Sequence, residues 1–194
     1  ANNQLPAKNM QELMALAKAK PGELKYGSGG NGTVNHLIGP MIGTAGGVKL
    51  THVPYRGIAI ASTSVIAGEV QLAFSSLPTV IGHIRGGLLK PLAVTTAKRL
   101  DALKDVPTMI ESGFPGFELT PWFGILTPAG APQAALQKSN ADINKLLTQR
   151  DVAERFAGQG ADPAPWSTDH FAKVIRADIV KWAKVVKESG ATLD

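Results

Sequence analysis

Tyr26-Gly27-Ser28-Gly29-Gly30-Asn31-Gly32-Thr33 is the stretch that decides the fold. A strand-like run, Leu24 to Tyr26, leads into it. An apolar-periodic segment leaves it, with Leu37, Ile38, Met41 and Ile42 on one helical face. A glycine-rich turn from strand to helix aims backbone N–H groups and the positive end of the helix dipole at one point. Such a point suits an anion, most simply a carboxylate or a phosphate. The glycines permit close backbone approach and positive φ. Two readings stand here: an anion site, or a turn that needs small residues for its geometry alone.

Two named versions of the motif do not fit. Gly27, Gly29 and Gly32 have the spacing of a dinucleotide fingerprint, but Val48-Lys49-Leu50-Thr51-His52 brings no acid to close the next strand. A nucleoside-triphosphate loop needs Gly-Lys-Ser/Thr, and Gly32 is followed directly by Thr33. Ser28 is preceded at the elbow position by Tyr26 rather than glycine, so it is no nucleophile elbow. The loop reads as built to bind, not to react.

The 194 residues allow one or two domains with an ordinary core. No apolar run is long enough to span a membrane. The net charge of +5 comes from scattered basic residues such as Lys173, Lys181, Lys184 and Lys187, which read as a solvated helix surface. No basic stripe interleaves with aromatics, which argues against a nucleic-acid partner. A mild positive field favours acidic ligands. The absence of cysteine excludes a disulfide scaffold and a thiolate metal site. With neither signal peptide nor initiator Met, the chain reads as a mature or trimmed product.

Helices and strands alternate. Asn9-Met10-Gln11-Glu12 forms a capping box before Leu13 and Leu16, and Pro21-Gly22 ends that helix. The glycine turn opens a helix to about Thr44, kinked at Pro40. Strand Lys49–Val53 leads through Pro54-Tyr55-Arg56-Gly57 into a helix from Ile58 to Ala67. Strand Val70–Phe74 leads through Ser75-Ser76-Leu77-Pro78 into a helix carrying Val80, Ile81 and Ile84. Strand Pro91–Thr95 completes the set. This pattern predicts an α/β fold with a parallel sheet and right-handed crossovers.

Ligands of open α/β sheets bind outside the carboxyl ends of the strands. The candidate ligand-binding residues are therefore Ser28, Gly29, Asn31, Gly32, Thr33, Tyr55, Arg56, Gly57, Ser75 and Ser76. They offer neutral hydrogen bonds and one cation, with no carboxylate pair and no serine–histidine–acid set by spacing. We expect no catalytic residue, no cofactor and no metal. Helix capping is the alternative role for Asn31 and Thr33. His36 reads as a hydrogen-bonded packing residue, and His52, His83 and His170 as structural, since none has metal spacing.

Lys98 to Glu118 reads as an irregular connector with a short helical turn. Trp122-Phe123-Gly124-Ile125-Leu126 reads as a buried strand, Pro132 begins a helix through Leu147, and a last helix runs from about Ser167 to a stop at Gly190. Its apolar face holds Phe171, Val174, Ile175, Ile179, Trp182 and Val186. Trp122 and Trp182 read as core residues, with Trp122 also placed to wall a cleft.

The ordered series of the glycine turn with His36-Leu37, His52-Val53-Pro54-Tyr55-Arg56-Gly57, Gly68-Glu69-Val70-Gln71, Leu92 to Arg99, Asp105-Val106-Pro107-Thr108 and Gly113-Phe114-Pro115-Gly116-Phe117-Glu118 resembles the periplasmic receptors of tripartite tricarboxylate transporters, the Bug or TctC family. The resemblance covers essentially the whole chain. It implies a type II-like, two-lobed periplasmic binding protein that captures a small carboxylate for membrane permease subunits. It also implies that residues 1–120 are the second lobe and 121–194 the return segment of an incomplete first lobe, whose N-terminal part is lacking. Many relatives carry Asp-Asn at Ser75-Ser76, so the resemblance implies a ligand other than an amino acid. A clamp that retains mainly one of its two donor sets predicts weak ligand binding by this chain alone, and the open apolar surface expected on residues 120–194 predicts a homodimer or swapped assembly through that region. Alternative readings are a ligand-sensing domain of a regulator and a phosphate-handling enzyme. The first normally carries a helix-turn-helix segment, and the second needs a metal-holding acid or base that the loops do not supply.

Overall fold

The computed structural model describes residues 1–189. Its first helix, α1 (Met10–Ala19), starts as its capping residues require. Glu12 N donates to Asn9 Oδ1 at 2.8 Å, and Glu12 Oε2 accepts from Lys8 N at 2.7 Å. Leu13, Met14 and Ala17 turn inward.

Strand β1 (Lys25–Ser28) lies between β2 (Thr51–Pro54) and β3 (Leu72–Ala73) in the order β2-β1-β3, with both pairings parallel. Helix α2 (Val34–Gly46) joins β1 to β2, and α3 (Ile58–Ala67) joins β2 to β3. Alternation along β1 divides the layers. Tyr26 enters the large core with Leu13, Ile38, Ile42, Phe114 and Phe117, while a Cβ at Gly27 would meet Ala61 of α3 at 3.0 Å on the other face. A second cluster of Val65, Val70 and Leu89 fills that other face. The chain thus moves outward from β1 to β2, then crosses back to β3. This reversal of strand order at β1 is where an open α/β sheet leaves a crevice.

One contact joins three irregularities of α2. Pro40 has no N–H for the carbonyl four residues earlier, that of His36. The Tyr26 hydroxyl donates to that carbonyl at 2.9 Å, replacing the missing helical donor. Gly39 makes room for the ring: a Cβ there would lie 2.2 Å from Tyr26 Cζ.

Two expectations need correction. Pro91–Thr95 does not join the sheet: only Val94 pairs, in an isolated parallel bridge to Thr108, and Leu119 N donates to the Thr95 carbonyl at 2.8 Å. Pro91 brings no donor to a ladder, and the segment is held by the 107–119 connector instead. The connector read from Lys98 to Glu118 holds its expected short turn as a 3-10 helix (Asp101–Leu103), and Met109, Phe114, Phe117 and the adjoining Leu119 are buried in the main core. Trp122–Leu126 is not a buried strand. Phe123, Ile125 and Leu126 are 79%, 74% and 68% exposed, and no strand lies beside them among the described residues. A lone extended segment has no ladder to satisfy its backbone.

Beyond α4 (Leu77–Arg85), the chain ends in α5 (Gln133–Leu147), α6 (Arg150–Gly158) and α7 (Thr168–Ser189). The sequence reading did not separate α6, and Gly190, its stop for the last helix, lies outside the described residues. No described residue after Leu119 is buried. Helix α7 docks through Trp182 on the main core, and Trp122 Nε1–H donates to Asp178 Oδ2 at 2.7 Å while its ring meets Phe171 edge-on.

Candidate functional site

Three βα turns leave the carboxyl ends of β1, β2 and β3, and the structure brings them into contact. A Cβ at Gly29 would lie 3.2 Å from Ile58 N, so the first two loops touch through backbone. Ser62 and Ser75 hydroxyls are 3.2 Å apart, tying α3 to the third loop. The Asn35 amide, in the first turn of α2, donates to the Phe74 carbonyl. The N-terminal ends of α2, α3 and α4 therefore gather at one edge of the sheet.

These ends share a chemistry. Their N-caps are Thr33, Gly57 and Ser76; none caps its helix by a side-chain hydrogen bond, and no first turn contains an acid. Helix α1, elsewhere, has both. Uncapped first-turn N–H groups and three positive dipole ends make this edge attractive to an anion.

Inside the first loop, Gly30 and Gly32 have φ of 129° and 72°, values that favour glycine. Ser28 is fully buried. Its Oγ lies 2.6 Å from His52 Nε2, donates to the Gly30 carbonyl at 3.1 Å and accepts from Gly30 N at 3.1 Å. Gly32 N donates to His36 Nδ1 at 3.1 Å, and Thr33 Oγ1 donates to the Gly30 carbonyl at 2.7 Å. The His36 and His52 rings stack with centroids 3.9 Å apart. Burial, then the neighbouring charge of His36, pushes His52 down to about 4; burial likewise lowers His36. Both rings are neutral near pH 7.

The sequence-predicted residues divide accordingly. The Ser28 hydroxyl is buried and bonded within the protein, and the Gly32 N–H is likewise bonded, to His36. Tyr55 lies against Gly27, its Cε2 being 3.2 Å from the position of a Cβ there, and packs on the second cluster. Arg56 is exposed, whereas Gly29, Asn31, Thr33, Gly57, Ser75 and Ser76 are part-exposed. The Ser76 hydroxyl pairs with Thr79 Oγ1 at 2.9 Å. His36 is a hydrogen-bonded packing residue as read. His52 is structural as read, and what the sequence reading did not find is its partner, Ser28. Its signal was parity: His52 pairs in register with Tyr26, which puts it on the face of β1 that also carries Ser28.

Among the described residues, no three His, Cys, Asp or Glu side chains are placed to hold a metal, and no helix is long and apolar enough to cross a membrane. A concavity of about 680 Å³ lies at the opposite end of α2, lined by Lys18, Thr44, Gly47 and Lys49. Helix C-termini border it, which is the wrong dipole end for an anion.

Residues 1–191 match the family model described as tripartite tricarboxylate transporter family receptor. The chain is 34% identical over 192 residues to protein BugT of Bordetella pertussis, covering 99% of this chain and 59% of that protein. The solved structure of R. palustris Rpa4515 with adipate superposes with a TM-score of 0.94 at 32% identity, covering 98% of this chain and 64% of that one. MatC (Rpa3494) from Rhodopseudomonas palustris with bound malate gives 0.86 at 27%, covering 96% and 64%. The chain thus spans less than two thirds of the length of these relatives.

Proposed function

The chain belongs to the tripartite tricarboxylate transporter receptor family, and from that membership we propose that it is a periplasmic solute-binding receptor for a small carboxylate. The ligand would pass to the membrane permease subunits of a tripartite transporter. The observation that carries this reading is the meeting of three uncapped, acid-free helix N-termini at the carboxyl edge of the sheet. Gly29, Asn31, Thr33, Gly57, Ser75 and Ser76 are the proposed contacts, with Arg56 at the rim. Residues 1–120 are the proposed second lobe of the receptor and 121–194 the return to the first.

A ligand ammonium group finds no carboxylate in these three loops, so the substrate class is a carboxylic acid without an amino group. Adipate, with Rpa4515, and malate, bound to MatC, are of that class. The exposed Phe123, Ile125 and Leu126 support the further proposal of a homodimer through residues 120–194, which light scattering tests. Calorimetry and NMR titration against mono-, di- and tricarboxylates, with aspartate as control, test the ligand class. Saturable binding of a dicarboxylate in preference to aspartate is expected. Binding of aspartate alone, or no carboxylate binding up to millimolar concentration, overturns the reading.

A further inference from the structure

We infer that His36 and His52 are positioning residues for the glycine loop, with His36 supplying a hydrogen-bond acceptor that adds no charge beside the ligand carboxylate. The inference rests on the carboxylate reading above and deepens it.

The two helices α1 and α2 begin with the same device carried by different residues. In α1, the third helical residue, Glu12, accepts the N–H of Lys8, which precedes the Asn9 cap. In α2, the third helical residue, His36, accepts the N–H of Gly32, which precedes the Thr33 cap. Glutamate or glutamine is the usual residue for such a reach backward. A glutamate at position 36 would hold Gly32 as well, but its charge would stand within a turn of the anion site. Because Gly32 N donates to Nδ1, that nitrogen carries a lone pair, and the ring is neutral with its proton on Nε2. Histidine here is the acceptor without the charge.

His52 secures the other half of the loop. It lies 2.6 Å from Ser28 Oγ, which bonds both the N–H and the carbonyl of Gly30. Stacking of the two rings, inclined by only 10°, joins these anchors into one unit spanning β2, β1 and α2. Glycines lose more freedom on ordering than any other residue. Anchoring Gly30 and Gly32 before the ligand arrives removes that loss from the binding step.

The test uses the full chain, labelled with 15N, with malate and adipate as probes. His36→Gln retains a neutral acceptor, His36→Glu retains a charged one, and His36→Phe retains only the ring. We expect His36→Gln to keep slow Gly32 amide exchange and to bind within about threefold of wild type. His36→Phe should speed Gly32 exchange and weaken binding about tenfold, the scale of one hydrogen bond. His36→Glu should keep Gly32 protected, melt with His36→Gln, and still bind about tenfold or more weakly, an effect that salt reduces. His52→Phe, which keeps the stack and loses the Ser28 contact, should speed exchange at Gly30. Equal affinity of the Glu and Gln variants overturns the charge argument, and unchanged Gly32 exchange in His36→Phe overturns the positioning. A wild type that binds neither acid overturns the carboxylate reading and the charge argument with it. Exchange at Gly32 and Gly30 then decides the positioning by itself.

Discussion

Gly39→Ala should destabilise the protein, although the same change on an exposed helix stabilises it by about 0.5–1 kcal/mol. The added Cβ would sit 2.2 Å from Tyr26 Cζ and 2.4 Å from its hydroxyl oxygen. Tyr26 is 2% exposed, so the ring has nowhere to retreat without opening the core. Overpacking of this kind costs about 1–3 kcal/mol. Retreat of the ring would also take its hydroxyl from the His36 carbonyl, which Pro40 leaves without a helical donor. Leaving this part-buried acceptor without a donor costs about 1–2 kcal/mol more. Less the gain in helix propensity, the middle of these ranges is a loss of about 3 kcal/mol. Urea unfolding followed by circular dichroism measures it, with an unchanged slope confirming that stability alone moved. In a Tyr26→Leu background the same substitution should cost less than about 1 kcal/mol, since the two sites couple through direct contact. A neutral or stabilising Gly39→Ala, or equal costs in both backgrounds, would refute the reasoning.

Further outcomes are expected elsewhere. Asn9→Ala removes the cap of α1 and should cost about 1 kcal/mol by the same assay, with no effect on carboxylate titrations. Trp122→Phe and Asp178→Ala break one part-exposed hydrogen bond from opposite ends; each should cost about 1 kcal/mol, and the double variant little more than either single one. His52 stands at about 4 in the folded protein because of burial, then His36 charge, against its ordinary 6.5. Between those values the unfolded chain holds the extra proton, so stability falls as pH drops from 6.5 to 4, by about 1–2 kcal/mol after allowance for partial exposure. His52→Gln should lose that slope, and parallel curves for variant and wild type would count against it.

Much of the architecture is legible in the sequence because it is local. Asn9 and Glu12 are three residues apart and cap α1 by themselves. The glycines at 29, 30 and 32 announce a strand-to-helix turn, and alternating apolar segments imply parallel strands joined by helices. The three loops at the carboxyl ends of the strands follow from that topology alone. Other features depend on distant partners. Whether Pro91–Thr95 joins the sheet was decided by the 107–119 connector beside it, and Trp122–Leu126, apolar enough for a core strand, lies exposed for want of a neighbouring strand. The partners of the Ser28 hydroxyl and the Gly32 N–H are His52 and His36, which the fold brings beside the loop. The same holds for Gly39, Pro40 and Tyr26, which make physical sense together only after β1 packs on α2. Sequence spacing specifies what each residue can do along its own element; register and packing specify which partner it meets, and those pairings set the site.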